Sequence, residues 1–190
     1  NLKAQGSIGS TATPFDVQIG SGAPNPTPGV INASAGLAID IYGPTIFGST
    51  PPPLPLGTLT AGGNIVVGAD GNVSVAHLVQ STAGSVSEQA VGDAADPTAT
   101  FVMDAGAQVE AENGINIQSA GSSVLGSLAL TGSPLTPQTI SVSAADGFIA
   151  GNGDGQTNFT ATAAGDLVLV QSQADTGSSA GPIMCVAPRL

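Results

Sequence analysis

The side chains of this chain that could carry chemistry are mainly carboxylates, and the densest group of them lies near the middle of the sequence. This group contains Glu88, Asp93, Asp96, Asp104, Glu110 and Glu112. Two carboxylates at a suitable distance can hydrolyse a glycoside, one as the acid and the other as the base or nucleophile. Aromatic residues, the usual platform for a sugar, make up only 3% of the chain. We therefore do not expect this group to be catalytic.

The same acidic region and a second loop near the C-terminus offer the oxygen ligands that Ca²⁺ prefers. The candidate ligands are Asp93, Asp96, Asp104, Asn152 and Asp154. Their spacing matches neither the EF-hand loop nor the Gly-Gly-x-Gly-x-Asp repeat. These stretches are therefore predicted to be solvated loops rather than metal sites. Ca²⁺ is the one cofactor for which the sequence offers candidate ligands.

The single histidine and the scarcity of basic residues argue against the commonest enzyme classes. Alternation in the run 73–79 places His77 on the same face as three valines, which is typical of a packed or edge histidine. No Gly-x-Ser-x-Gly motif accompanies it. Polysaccharide lyases need basic groups near a developing negative charge, whereas the only Lys and Arg here are Lys3 and Arg189. We predict that the chain is not an enzyme.

Charge and composition narrow the classes of partner. The net charge of −11 argues against binding to nucleic acid and to anionic membrane surfaces, both of which need Lys and Arg. No apolar run is long enough to cross a bilayer. An excess of acidic residues is common on exported proteins. Cys185 is the only cysteine, so no internal disulfide is predicted, and the absence of a signal-peptide pattern favours a mature form or a fragment.

Short alternating runs separated by Gly, Asn, Asp and Pro predict an all-β chain of one domain, 1–190. The predicted strands are 30–33, 37–42, 58–60, 64–67, 72–79, 100–103, 108–111, 115–118, 127–130, 139–143, 148–150, 159–161 and 167–170. Two Pro-rich or acidic stretches, near 43–56 and 81–99, are predicted to be loop excursions.

A recurring corner pattern indicates how these strands are arranged. Small or acidic residues precede a glycine, and the next strand follows at once, with the glycine at Gly36, Gly63, Gly71, Gly114, Gly147 or Gly165. We expect these glycines to adopt positive φ at the corners. Coils of roughly 20 residues with inserted loops explain the irregular spacing and predict a parallel β-helix. Antiparallel hairpins give similar repeats, so a β-sandwich is the alternative.

Three segments, 57–67, 126–132 and 159–169, resemble the repeats of filamentous-haemagglutinin-like exoproteins, the large proteins of two-partner secretion. The first of them reads Gly-Thr-Leu-Thr-Ala-Gly-Gly-Asn-Ile-Val-Val. The likeness covers about half of the chain, chiefly 57–80 and 108–171. It implies a right-handed parallel β-helix in an extracellular or surface-attached fibre or adhesin.

The expected function is therefore structural or adhesive, as a fibre segment or as a subunit that stacks end to end. The expected partners are further copies or coils of the same fibre, or a glycan or protein receptor at a surface. A carbohydrate-binding or weakly carbohydrate-active module is the alternative. Three glycosylation sequons, at Asn32, Asn72 and Asn158, add little because a Ser- and Thr-rich chain contains such triplets by chance.

Overall fold

The computed structural model describes residues 1–17, 29–44, 53–93, 97–132 and 138–152, and the backbone of 159–160 and 167–172. These residues form strands joined by turns, bends and irregular segments, and none belongs to a helix that could cross a membrane. Strands are numbered in chain order. One sheet contains β1 (Leu2–Ala4), β3 (Ile31–Ala35), β5 (Leu54–Ala61), β7 (Val73–Val75), β8 (Leu78–Ser81), β10 (Phe101–Met103), β11 (Gln108–Ala111), β13 (Ser123–Leu125), β14 (Ser127–Leu130), β16 (Ile149–Gly151) and β17 (Phe159–Thr160). The second contains β2 (Phe15–Asp16), β4 (Ile39–Gly43), β6 (Ile65–Ala69), β9 (Ser85–Ala90), β12 (Gly114–Ser119), β15 (Thr139–Ala144) and β18 (Leu167–Ser172).

All pairings between these strands are parallel, and each strand pairs with the equivalent strand of the next coil. The second sheet runs through seven coils in the order β2-β4-β6-β9-β12-β15-β18. The first sheet divides at β5, whose residues 54–56 pair with β7 and whose residues 59–61 pair with β8. The chain is therefore a parallel β-helix, as predicted, and the β-sandwich alternative is wrong.

Alternation within each strand builds the core. One inward column of the second sheet joins five coils in register, and each of its side chains is at most 2% exposed. The column consists of Ile39, Ile65, Val86, Ile115 and Ile140. Burial of such a side chain contributes about 1.5–3 kcal/mol. β-branched residues dominate because the pleated surface suits their restricted χ1 angle.

The corner glycines are needed for close stacking more than for positive φ. Among the predicted corner glycines that are described, only Gly114 has a positive φ, 151°. At Gly36, a Cβ atom would collide with the carbonyl oxygen of Gln5 in the preceding coil. A Cβ on Gly147 would in the same way meet the backbone nitrogen of Ser122. The prediction of positive φ is therefore wrong for most of the pattern, although the pattern does mark the corners.

Both predicted excursions contain strand residues. Residues 54–56, at the end of the stretch 43–56, begin β5, and Leu54 and Leu56 are buried in the core. Proline is tolerated at position 55 inside the ladder, where it pairs with Ser74. Residues 85–90, inside the stretch 81–99, form β9, so the loop prediction is wrong for them.

Candidate functional site

The outer surface of the second sheet carries a grid of uncharged polar side chains in its central coils. We call this grid the polar face. It consists of Ser87 and Gln89 on β9, Asn116 and Gln118 on β12, and Ser141 and Ser143 on β15. The inward neighbours of these residues are buried, and alternation directs the six to solvent.

Strand register fixes the spacing of the grid. Ser87, Asn116 and Ser141 stack in one column. Gln89, Gln118 and Ser143 stack in the second column. Neighbouring coils lie about 4.8 Å apart and the two columns about 6.6 Å apart, from the ordinary dimensions of a sheet. Hydroxyl and amide groups both donate and accept hydrogen bonds, so the polar face can bind a partner with the same double capacity.

Shallow grooves border the polar face at both ends of its strands. The groove at the N-terminal ends has a volume of about 330 Å³ and is lined in part by Ser85, Asn113 and Thr139. The groove at the C-terminal ends has a volume of about 280 Å³ and is lined in part by Val91 and Ala120. Backbone pairing within the sheet holds these strands in register.

A carboxylic acid lies directly beneath the polar face. Glu88 is the inward residue between Ser87 and Gln89, and it is fully buried. Neither of its carboxyl oxygens has a hydrogen-bond partner. Burial raises the pKa of Glu88 to about 8, because desolvation disfavours the charged form. The acid predicted to lie in a loop is therefore a neutral core residue at neutral pH.

A second group of polar side chains lies on the same sheet, in earlier coils. The Tyr42 hydroxyl donates a hydrogen bond to the Asp70 carboxylate across one coil. Burial and this carboxylate, with smaller effects from Asp16 and Asp93, raise the pKa of Tyr42 to about 12. Burial also raises the pKa of Asp40, whose Oδ2 atom has no partner.

The structure separates the carboxylates that the sequence groups together. Glu88 points into the core, whereas Glu110 lies on the outside of β11 and accepts a hydrogen bond of 2.8 Å from Gln80. Asp104 and Glu112 lie at two different corners of the same coil. The described acids of the group therefore lie at several separate places around the coils.

The candidate calcium ligands come together only in part. The Asn152 amide donates a hydrogen bond of 2.8 Å to the backbone carbonyl of Asp104, two coils earlier. Asp93 follows β9 in the second sheet and lies close enough to Tyr42 of β4 to raise the pKa of that tyrosine. Asp96 and Asp154 lie outside the described residues. Within the described ranges, no group of three or more His, Cys, Asp or Glu side chains is placed to hold a metal ion.

His77 is exposed and does not share the valine face. The predicted strand 72–79 is two strands, β7 and β8, and the coil turns at Ala76 and His77. The turn breaks the alternation on which the prediction depended. His77 therefore lies at a corner.

Two of the three sequon asparagines hold neighbouring coils together. The Asn32 Oδ1 atom accepts a hydrogen bond of 2.8 Å from the backbone N–H of Thr58. The Asn72 Oδ1 atom accepts hydrogen bonds from both the backbone N–H and the hydroxyl of Thr100. These side chains are part-buried and serve the fold, and Asn158 lies outside the described residues.

Sequence reasoning missed the polar face, although its signal is present. Each of its three strands alternates a polar residue with a buried one, as in Ser85-Val86-Ser87 and Asn116-Ile117-Gln118. Glu88 hides the pattern in β9 because it places an acid at an inward position.

Comparisons of this chain with protein-family models, with curated proteins and with solved structures find no significant match.

Proposed function

We propose that this chain is a non-catalytic, adhesive segment of an extracellular β-helical fibre, and that its polar face binds a neutral polysaccharide at a surface. The observation that carries the proposal is the grid of paired amide and hydroxyl columns on three successive coils. A polysaccharide offers repeated hydroxyl groups, each of which donates and accepts hydrogen bonds. Groups on a rigid sheet lose little conformational entropy when they bind such a chain.

Charge favours a neutral partner over an anionic one. The six side chains of the polar face carry no charge, and the whole chain carries −11. An anionic polymer would be repelled by this field and would find no Lys or Arg on the polar face to pair with. A protein partner would usually need a more apolar or aromatic contact surface at its centre.

The edge of the second sheet at β2 is poorly suited to regular end-to-end stacking of copies, which favours binding through the polar face instead. Ile8 bridges to Ile39, and Phe15 pairs with Ile41. Residues 9–14 therefore leave the sheet opposite the single residue Asp40. An interruption of this kind removes the row of backbone groups that an added strand would need. Association of copies through other contacts is the second candidate, and electron microscopy over a range of concentrations would detect it as long filaments.

The resemblance to filamentous-haemagglutinin-like repeats agrees with this role, and it stays a prediction. The parallel β-helix is the part of that resemblance which the fold supports. The extracellular location and the attachment to a surface are further parts of what we propose for this chain. Dispersed carboxylates among the described residues support the non-catalytic part of it.

Affinity electrophoresis of the full chain tests the proposal. The protein is run in native gels that contain a neutral β-glucan, a neutral mannan or anionic polygalacturonate. We expect retardation in a neutral polysaccharide and none in polygalacturonate. The test variant is Gln118→Arg, in the centre of the polar face. The matched control is Gln108→Arg, an exposed glutamine of the same coil on the other sheet.

We expect Gln118→Arg to lose the retardation and Gln108→Arg to keep it. Equal behaviour of the two variants would show that the polar face is not the binding surface. Absence of retardation in every neutral polysaccharide would overturn the proposed ligand class. Concentration-dependent filaments that disappear only in Gln118→Arg would instead identify the partner as a second copy of this chain.

A further inference from the structure

Glu88 is the one ionisable side chain among the described residues that is fully buried in the apolar interior. Its position in β9 pairs with Val67 of β6 on one side and Ile117 of β12 on the other. Both neighbours are 0% exposed. The acid therefore occupies a place in a column that is otherwise aliphatic, with Ile41 and Val142 further along it.

No ionisable group faces Glu88 from the strands packed around it. The inward residues of β6 and β12 are aliphatic apart from Ser119, and those of β8 and β11 are Val79, Ser81, Val109 and Ala111. Glu110, the only titratable residue on these four strands, lies on their outer side, where Gln80 donates a hydrogen bond to it. A negative charge on Glu88 would have no cation and no hydrogen-bond donor to stabilise it.

Below about pH 8, Glu88 consequently loses its proton readily only in a structure that exposes it to water. Burial places the pKa of the folded state at about 8, whereas an exposed glutamate has its ordinary value of 4.5. Between these two values, any opening that brings Glu88 to water also releases its proton. Such an opening becomes more favourable as the pH rises, by about tenfold for each pH unit.

We propose that Glu88 is a proton-dependent switch beneath the polar face. With its proton, Glu88 lets β9 lie closed between β6 and β12. Without it, β9 separates from its neighbours, and Ser87 and Gln89 leave the register of the grid. The pH dependence of the opening of β9 rests on the burial of Glu88 alone, and its effect on ligand binding rests on the proposed function of the polar face.

The geometry connects the switch to the binding surface directly. Ser87 and Gln89 are the residues on either side of Glu88, and they form one of the three rows of the grid. Ser85, the first residue of β9, lines one groove, and Val91, the residue directly after β9, lines the other. Movement of this strand would therefore alter both grooves, and acidic to neutral conditions would favour the binding form.

Amide hydrogen exchange of the full chain tests the switch without any ligand. Wild type is compared with Glu88→Leu at the same pH, which cancels the chemical dependence of exchange on pH. From about pH 5.5 to about pH 7.5, we expect the exchange of β9 in wild type to rise about a hundredfold relative to Glu88→Leu. Glu88→Gln, which cannot ionise, takes the place of the leucine variant if that variant does not fold. A wild-type-to-variant ratio that stays constant with pH would overturn the switch.

Retardation in the neutral polysaccharide gel at about pH 5.5 and about pH 9, on either side of the folded-state pKa of about 8, then tests its effect. Weaker retardation of wild type at the higher pH, with none of this loss in Glu88→Leu, supports control of the polar face by Glu88. The same loss in both proteins would overturn that control. The exchange effect without retardation at either pH would overturn the proposed ligand while leaving the opening of β9 established.

Discussion

Asn72 and Thr100 are joined across one coil by two hydrogen bonds to a single oxygen atom. The Oδ1 atom of Asn72 accepts from the backbone N–H of Thr100 at 2.6 Å and from its hydroxyl at 2.8 Å. The backbone N–H of Val73 in turn donates to the carbonyl of Thr100. This corner therefore fixes the point at which the chain enters β10.

Replacement of Asn72 by alanine should destabilise the fold by about 1–3 kcal/mol, because it leaves a part-buried N–H group without its acceptor. Asn72→Asp retains the acceptor oxygen and should recover most of the loss. Asn116→Ala, on the exposed polar face, is the control and should change the free energy of unfolding by less than about 0.5 kcal/mol. Urea unfolding measures all three, and equal losses in Asn72→Ala and Asn116→Ala would contradict the role of this corner.

Close stacking of the coils predicts that Gly121 tolerates no side chain. A Cβ atom there would collide with the carbonyl oxygen of Thr98, which belongs to the backbone and cannot rotate away. Gly121→Ala should therefore cost about 1–3 kcal/mol or more, as other forms of overpacking do. Gly6 has open space around it and is the control. Thermal unfolding of Gly121→Ala and Gly6→Ala compares them, and similar midpoints would mean that the coil can shift at no cost.

The sequence predicts the strands well where inward residues are apolar and corners contain glycine. β11 and β14 have the predicted bounds, and β12 differs by one residue at each end. Alternation is sufficient there because each inward side chain enters an aliphatic column. β5 extends further than predicted because Pro55 sits in the ladder, which the usual exclusion of proline from sheets does not anticipate.

Prediction fails where a polar residue occupies an inward position. Glu88 makes β9 resemble a loop, and Ser123 conceals β13 because its hydroxyl is buried against the hydroxyl of Ser119 at 2.9 Å. The corner at His77 has no glycine to mark it. The polar face was also missed, because its columns join residues of different coils, and the register between coils depends on inserted loops whose lengths vary.

Because the chain has a single tyrosine, the pKa of Tyr42 can be measured directly and reports on its contact with Asp70. The chain contains no tryptophan, so ultraviolet titration reports Tyr42 alone. Burial and the Asp70 carboxylate raise its pKa to about 12, so ionisation should occur well above the ordinary value of 10.0.

Asp70→Asn should bring the pKa of Tyr42 part of the way back, because the burial remains after the charge is removed. Asp104→Asn, at an exposed corner of another coil, should leave the titration unchanged. The folded-state pKa lies above the unfolded value, so this group stabilises the fold below pH 10 and the contribution is lost as the pH rises towards 12. A wild-type titration centred at the ordinary value would contradict both the burial of Tyr42 and its contact with Asp70.

Glu88→Leu should make the protein more stable at neutral pH. In the wild type, folding near pH 7 requires Glu88 to take up a proton, since its pKa rises from 4.5 in the unfolded chain to about 8 in the folded one. The sign is that of a raised folded pKa: stability is fully present below pH 4.5 and declines until about pH 8. At pH 7 the cost is about 3 kcal/mol, from about 1.4 kcal/mol for each pKa unit. Leucine removes this cost and adds apolar contacts with Val67 and Ile117.

Urea unfolding at several pH values isolates the effect, because the other acidic groups are the same in both proteins. The difference in free energy of unfolding between Glu88→Leu and wild type should increase from about pH 4.5 to about pH 8 and then level off. Glu88→Gln should show the same pH dependence with a smaller gain, because it buries an amide that has no partner. A difference that does not vary with pH would mean that Glu88 reaches water or a partner in the folded protein, and that the interior of β9 is not closed.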